Sequence, residues 1–488
     1  MAVNAKQLAE QLRSDFEKLL KLVTGPEAQR ATLDQMERSL FRQVLRLGLK
    51  LLRLFLQSRV EAESHAPLAR RGRARLPYHS QQPLAYFSIF GKLSFARAYF
   101  YESGQGGCSP LDQALSAPEH CYSDLLLESA ELLAADHSYD KSLQALQHLL
   151  GLRVSELALE TNIATHSQPV HSFYRQQAPF PLTEEGSILV AQADGKGVPM
   201  VRSVDSTPKA RRSKGDKKTR KKEAIAIAVY TIEPYVRTPQ MVVDALFNHE
   251  RSPVIRPAPC HKQVFASLDG KDAAIQRLAR WVKRREGPQI QTRVALCDGS
   301  IPLQQQLRRK LKPFALVLDL IHVDEYLWKA GTAIYGETDS QRARWVASQL
   351  LDILSSRSET VIQRLTDLAQ PMPATSLAHK VLHQVSNYLQ RNQLFMDYAY
   401  YLQQGWPISS GVIEGVCRHL VKDRMELSGM RWTVDGAEAL LALRAVNENG
   451  DWDAFHAFRR GQRHQQLYHT TLKTIELDEI KFLEINQL

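Results

Sequence analysis

The stretch SILVAQADGKG, residues 187–197, sets an apolar run against one acid and two glycines. A short continuous apolar run bounded by turn residues reads as a buried strand. Here it ends at Asp194, with Gly195 and Gly197 behind it. Working outward, EAIAIAVYTIE (223–233) is a second strand and HKQVFASL (261–268) a third, and KDAAIQRLARWVKRRE (271–286) has helical spacing. TRVALCDG (292–299) is a fourth strand, PLQQQLRRKLK (302–312) a helix, PFALVLDLIH (313–322) a fifth strand and VDEYLWKAGTAIY (323–335) a helix. Three strands, a helix, then strand and helix in alternation is an α/β order with a mixed sheet. Residues 330–405 read as helical, broken at PMPATS (371–376), and the turn WPISSG (406–411) leads into the helix VIEGVCRHLVKDRMEL (412–427).

Ahead of this core, residues 1 to about 60 read as helix, with Leu40, Val44, Leu47, Leu51 and Leu54 in one apolar stripe. The stripe covers too few heptads to argue for a coiled coil, so it is expected to pack on its own chain. A basic linker, ARRGRAR (69–75), precedes AYFSIFGKLSFARAYFYES (85–103), whose alternation around Gly91 predicts a hairpin. The segment YDKSLQALQHLLGLRVSELALETNIATHSQ (139–168) reads as a helix, a break at Gly151, and a second helix opened by Ser155. That rhythm fits a helix-turn-helix reading a major groove, and it fits two helices that merely pack; both readings stand.

The chain has 488 residues, enough for about three domains. Its net charge is +11. The fifteen residues 208–222, PKARRSKGDKKTRKK, carry nine bases and one acid, a net +8, which leaves +3 for the rest. Such a block neutralises phosphates readily, and points to DNA through Lys217, Lys218, Arg220, Lys221 and Lys222. Five separated cysteines without a CxxC pair imply a reducing compartment and give neither a disulfide framework nor a zinc site. The opening segment has no apolar h-region, and no run is long enough to span a bilayer; a cytoplasmic location and no membrane partner are expected. No GxxxxGK[ST] stretch occurs, so ATP use is not expected.

Three acids stand out: Asp194, Asp298 in CDGS, and Glu414 in the first turns of the helix after WPISSG. An acid ending an apolar strand is costly to bury without a cation, base or metal beside it, and Mg²⁺ is held by a few carboxylates together with substrate phosphate. Asp-Gly is also a common turn pair, so from the residues alone a turn role stands beside the functional one for Asp194 and Asp298. Asp319 competes with Asp298, since it too falls in an apolar run.

The wording ADGKGVPM (193–200), CDGS followed by LDLIHVDEYLW (318–328), and WPISSGVIEGVCRHLVKDRM (406–425) resembles the DDE transposases of bacterial insertion sequences. It is most similar to the group named after the Kra element, relatives of the mutator type, over residues 75 to 460 or so. The resemblance implies a ribonuclease-H-like catalytic core from residue 181, with an all-α insertion over 330–405 and the Glu helix in 406–450. It implies a mainly helical N-terminal DNA-binding region (1–75 and 76–180) and a tail over 451–488. It also implies Asp194, Asp298 and Glu414 as the acidic triad, two Mg²⁺ or Mn²⁺ ions, and DNA cleavage at element ends followed by joining of the 3′-hydroxyl to a target. The protein would then act on paired ends as a homodimer or larger assembly, nucleoid-associated in a bacterial cytoplasm. In this fold the second acid follows the fourth strand, which favours Asp298. Asp319 and His322 resemble a D-x-x-H feature after that acid, a structural or substrate-positioning pair. Arg418 and Lys422 follow Glu414 by four and eight residues, one helical face; they would hold the DNA strand or form a solvated basic face. Arg424 and Arg431 are weaker candidates for the same task, and Trp432 reads as a core residue rather than a base-stacking one. A ribonuclease-H-like nuclease or resolvase without strand transfer, and a domesticated DNA-binding protein without catalysis, remain alternatives.

Overall fold

The computed structural model describes residues 4–70, 73–201, 221–248, 255–427 and 429–473. The chain divides into two compact units, residues 1–162 with 453–488, and residues 163–452.

In the first unit the N-terminal helical stretch is two helices, Ala5–Thr24 and Leu33–Glu61. The Gly25–Pro26 pair interrupts what the periodicity read as one. They fold back on each other, with the Ala5 amide donating to Glu61 at 2.8 Å and Lys50 pairing with Asp15. The buried positions of this hairpin are Leu8, Leu12 and Leu56. The apolar stripe expected to be covered is therefore left partly open: Val44 and Leu51 are 55% and 52% exposed. The predicted β-hairpin forms from Tyr78–Ser88 and Gly91–Glu102, closed by the pair Ser88–Gly91 and extended by a third strand, Gly106–Cys108. Gly91 has φ +134°, a conformation that L side chains rarely adopt. The segment read as a basic linker instead supplies a short antiparallel pair, Leu68–Arg70 with Arg73–Leu76. The helix Trp452–Tyr468 joins this unit through Arg459 and Arg463, which reach Asp124 at 3.0 and 2.6 Å. Burial pushes the Asp124 carboxyl up, but the two guanidiniums overcome it and hold its pKa at about 2.

In the second unit five strands form one sheet: β1 (Ile188–Pro199), β2 (Lys221–Ile232), β3 (Cys260–Ser267), β4 (Thr292–Cys297) and β5 (Ala315–Leu318). The spatial order is β5-β4-β1-β2-β3. β1, β2 and β3 run as an antiparallel meander, whereas β4 pairs parallel with both β1 and β5. The crossovers are helices α1 (Lys271–Arg285) and α2 (Ile301–Lys310). Strands covered on both faces read as continuous apolar runs rather than alternating ones, which is why ILVA and AIAIAVYTI are buried throughout. After β5 come α3 (Leu320–Tyr335), α4 (Gln341–Leu354), α5 (Ser358–Ala369), α6 (Leu377–Asn392) and α7 (Tyr398–Gln403). Their apolar faces share one core with Ile188, Val190, Val294 and Val317 of the sheet.

Two strand boundaries differ from the reading of the sequence. β1 continues five residues past Asp194, because β2 keeps pairing with it as far as Pro199–Lys221 after the ladder to β4 has stopped at Gln192–Leu296. Gly195 and Gly197 admit neighbours in that ribbon: a Cβ on either would meet the side chain of Glu223 or Lys221, at 2.4 and 2.9 Å. β5 stops at Leu318, and Asp319, read as part of the strand, is instead the N-cap of α3. A capping side chain satisfies an amide that the first helical turn leaves unpaired, and Asp319 accepts from the Ile321 amide at 3.3 Å.

Candidate functional site

β1 and β4 are adjacent and parallel, and their register aligns Gln192 with Leu296. The same offset carries Asp194 to Asp298, just beyond the last residue of β4. The two acids therefore stand at one level on neighbouring strands, Asp194 where the ladder to β4 has stopped and Asp298 just past the end of β4. Asp194 faces the same side as Gln192, and its partner on β2 is Ala226, with Ala228 and Ala224 to either side. These alanines leave room for a helix to lie close on the sheet. That helix is α8 (Gly411–Val416), and it carries Glu414.

α8 and the turn before it are held there by hydrogen bonds to the sheet and to the start of α3. The Ile413 amide donates to Gln192 Oε1 at 2.9 Å, the Gln192 side-chain amide donates to the Tyr230 hydroxyl at 3.1 Å, and the Ser410 amide donates to Asp319 Oδ1 at 2.8 Å. The Leu320 amide adds a bond to the Ile408 carbonyl at 2.9 Å. Asp319 is fully buried, so it fixes the start of α3 and the approach to the Glu helix together. Gln192 was legible as a polar residue inside an apolar strand, yet nothing in the sequence says what it would hold.

The carboxylates already have polar neighbours. Asp194 accepts from the Gly195 amide at 2.6 Å, and the buried Cys417 thiol donates to its other oxygen at 3.4 Å. Asp298 accepts from the Ser300 amide at 3.0 Å, and the Ser410 hydroxyl donates to Glu414 at 3.2 Å. Burial pushes the Asp298 carboxyl above the ordinary carboxylate range and Asp194 pushes it further, against the Ser300 amide, His322 and Lys271. Glu414 is raised likewise, by burial and then by the charges of Asp319 and Asp194, with His322 opposing. Burial together with Asp194 raises the Cys417 thiol. Asp194, Asp298 and Glu414 thus share one field, with Asp319 and His322 inside it. An oxygen donor set whose charges repel one another matches a hard divalent cation. Among the described residues, however, no three His, Cys, Asp or Glu side chains are already gathered as a metal cage. His322 sits in the first turn of α3, half-buried and 3.6 Å from Glu325.

The cationic candidates divide. Beyond α8 the helix continues as a π-helical segment, Cys417–Lys422, and then Asp423–Met425. Cys417, three residues past Glu414 and so on the same face, meets Asp194. Arg418 and Lys422 are exposed, Arg418 lying 4.0 Å from Asp423. Arg424 is fully buried, with its guanidinium 5.0 Å from the Trp432 ring, and is unavailable to DNA. Trp432 is a core residue donating to the Met425 carbonyl at 3.0 Å, and Arg431 is exposed. Of the basic run, Lys221 pairs with Glu426 and Lys222 is exposed at the start of β2. Lys217, Lys218 and Arg220 lie outside the described residues.

The charge crowding gives an expected result. A carboxyl whose pKa is raised by folding binds its proton more tightly in the folded state, so its ionisation costs stability in full above that raised pKa, and the cost is gone only below the ordinary pKa of the unfolded chain. Asp298→Asn should therefore raise the metal-free melting temperature at pH 7 by about 2 °C, the scale of roughly 1 kcal/mol in a domain of this size. The gap should narrow as the pH falls and Asp298 takes up its proton. Calorimetric scans of both proteins in EDTA across about pH 3–7 check it (that span brackets the usual carboxylate range), and a lower melting temperature for the variant would contradict the crowding.

No helix among the described residues is long and apolar enough to cross a membrane. No family model matches the chain, and no curated protein matches it. Among solved structures the chain is similar to one from the Drosophila P element transposase strand transfer complex, at 8% identity with a TM-score of 0.25, over 74% of this chain and 85% of that one. At that identity and score the likeness establishes neither fold nor function.

Proposed function

We propose that the chain is a metal-dependent DNA phosphoryl-transfer enzyme of the DDE transposase type, with a ribonuclease-H-like core. The observation that carries the reading is the convergence of three acids: Asp194 and Asp298 at one level of adjacent parallel strands, and Glu414 on a helix pinned over them by Gln192 and Asp319. The strand order β5-β4-β1-β2-β3, with β2 alone antiparallel to the other four, supports the ribonuclease-H-like assignment. Asp194, Asp298 and Glu414 would hold two Mg²⁺ or Mn²⁺ ions. When bound, such ions activate an attacking oxygen and stabilise the leaving one in an in-line displacement at phosphorus.

The protein's own contribution is placement. Gln192 and Asp319 fix where Glu414 stands relative to the sheet, and the Ser300 amide orients Asp298. Cleavage of a DNA duplex carrying the element ends by the full chain in Mg²⁺, followed by joining of the freed 3′-hydroxyl to a second duplex, tests the reading. Cleavage without joined product would favour the nuclease or resolvase alternative. No cleavage of any DNA in Mg²⁺ or Mn²⁺ would overturn the reading, leaving a DNA-binding protein.

The basic run is assigned to the DNA backbone. Replacing Lys217, Lys218, Arg220, Lys221 and Lys222 with Ser should weaken duplex binding irrespective of sequence, and lower the slope of log K against log salt by about 0.9 for each phosphate no longer neutralised. Fluorescence anisotropy titrations at several salt concentrations measure the slope; an unchanged slope removes the run from the interface.

A further inference from the structure

An open cleft of about 690 Å³ lies on the helical insertion, between α3 and α6. Its lining includes His379, Lys380, His383 and Arg391 and the amides of Gln384 and Asn387, and no carboxylate. Lys380, Gln384, Asn387 and Arg391 recur at 4-3-4 spacing, and all four are exposed, while Leu382, Val385 and Leu389 on the other side are buried. They form a row along one face of α6, about 16 Å long at 1.5 Å per residue. The row ends at the acidic centre, where the Arg391 guanidinium donates to the Gly299 carbonyl at 2.9 Å, one residue beyond Asp298.

The floor of the cleft is the stacked pair Tyr326–Tyr388, with ring centroids 3.9 Å apart and planes at 6°. The Lys329 ammonium lies 4.3 Å from the Tyr326 centroid. It cannot fit between the two rings, so it covers the other face of Tyr326. Neither face of that ring is open to a nucleobase. Tyr388 is only 6% exposed, and its hydroxyl is buried without a hydrogen-bond partner. Its ring lies against the Asp298–Gly299 turn, where a Cβ on Gly299 would meet it at 2.3 Å. The ring therefore packs α6 against the turn that carries Asp298.

We infer that this cleft holds the phosphodiester backbone of a single DNA strand leading to or from Asp298, with Lys380 and Arg391 pairing with its phosphates. The inference rests on the phosphoryl-transfer reading and names a subsite for it. A row of cations and amides matches a polymer better than a lone phosphate, and the covered aromatic faces exclude recognition by base stacking.

The test uses the full chain in EDTA, with a fluorescein-labelled single-stranded oligodeoxynucleotide as the probe. The Lys380→Ser/Arg391→Ser double variant should lower the slope of log K against log salt by about 1.4, that is about 0.7 per phosphate on a single strand. Photocrosslinking of a strand carrying 5-iododeoxyuridine should map to peptides containing residues 377–392. An unchanged slope with crosslinks elsewhere overturns the inference, as does displacement of the strand by inorganic phosphate or dAMP at concentrations matched to the strand's own nucleotides. The two readings fail separately. If the slope falls but the wild type never cleaves in Mg²⁺, the cleft stands as a strand site and the catalytic reading falls. If the wild type cleaves and the double variant binds and cleaves like it, the cleft assignment falls alone.

Discussion

Asp194→Asn, Asp298→Asn and Glu414→Gln should each reduce Mg²⁺-dependent strand cleavage by about a thousandfold, while binding to the same DNA in EDTA should stay within about twofold of wild type. The factor corresponds to about 4 kcal/mol, the scale of the transition-state charge stabilisation a bound metal supplies. The retained binding follows from where these residues stand. None is a cation, each is at least partly buried, and Asp298 and Glu414 are held above the ordinary carboxylate range by burial and mutual repulsion. Removing a charge there relieves the folded state and takes nothing from a phosphate contact. Gel assays of cleavage, run beside anisotropy in EDTA, separate the two quantities. If the Asp298→Asn protein still cleaves, Asp298 leaves the triad and Asp319 becomes the second acid.

Asp319→Ala has the largest expected effect on stability, about 2–4 kcal/mol. It removes the N-cap of α3, typically worth about 1 kcal/mol. It also leaves the Ser410 amide unpaired in a buried place, at about 1–3 kcal/mol. Because that amide belongs to the turn that delivers Glu414, cleavage should fall with stability. Asp319→Asn keeps an oxygen acceptor for Ser410 and for the Ile321 amide, so it should recover most of both. Denaturant titration and a cleavage assay on the two variants decide between roles. A stable but inactive Asn variant would mean that the carboxylate charge itself is used, which a positioning residue does not require.

How the acids divide their work illustrates what was legible in the chain. The strands were readable because a sheet covered on both faces demands unbroken apolar runs, and ILVA, AIAIAVYTI and VALC meet that demand without reference to anything distant. Asp194 and Asp298 were readable as acids closing such runs. The helix carrying Glu414 was readable from its turn and its spacing, and the surplus charge of residues 208–222 from composition.

What remained open was every question whose answer lies on another segment. Asp194 sits inside β1 rather than at its end because β2 continues to pair where β4 has stopped, and no local pattern reports where a neighbour stops. Asp319 caps α3 through the Ile321 amide two residues on, but its second task, taking the Ser410 amide some ninety positions later, is set by a distant segment. Arg424 looked like its exposed neighbours Arg418 and Lys422, but the π-helical segment before it and the ring of Trp432 behind it take it into the core. Tyr388, in the middle of an ordinary amphipathic helix, meets the Asp298–Gly299 turn only because α6 packs there. Burial and periodicity are local and are written in the residues. Register, capping by distant amides and the pairing of buried charges depend on which segments meet, and the tertiary structure alone decides that.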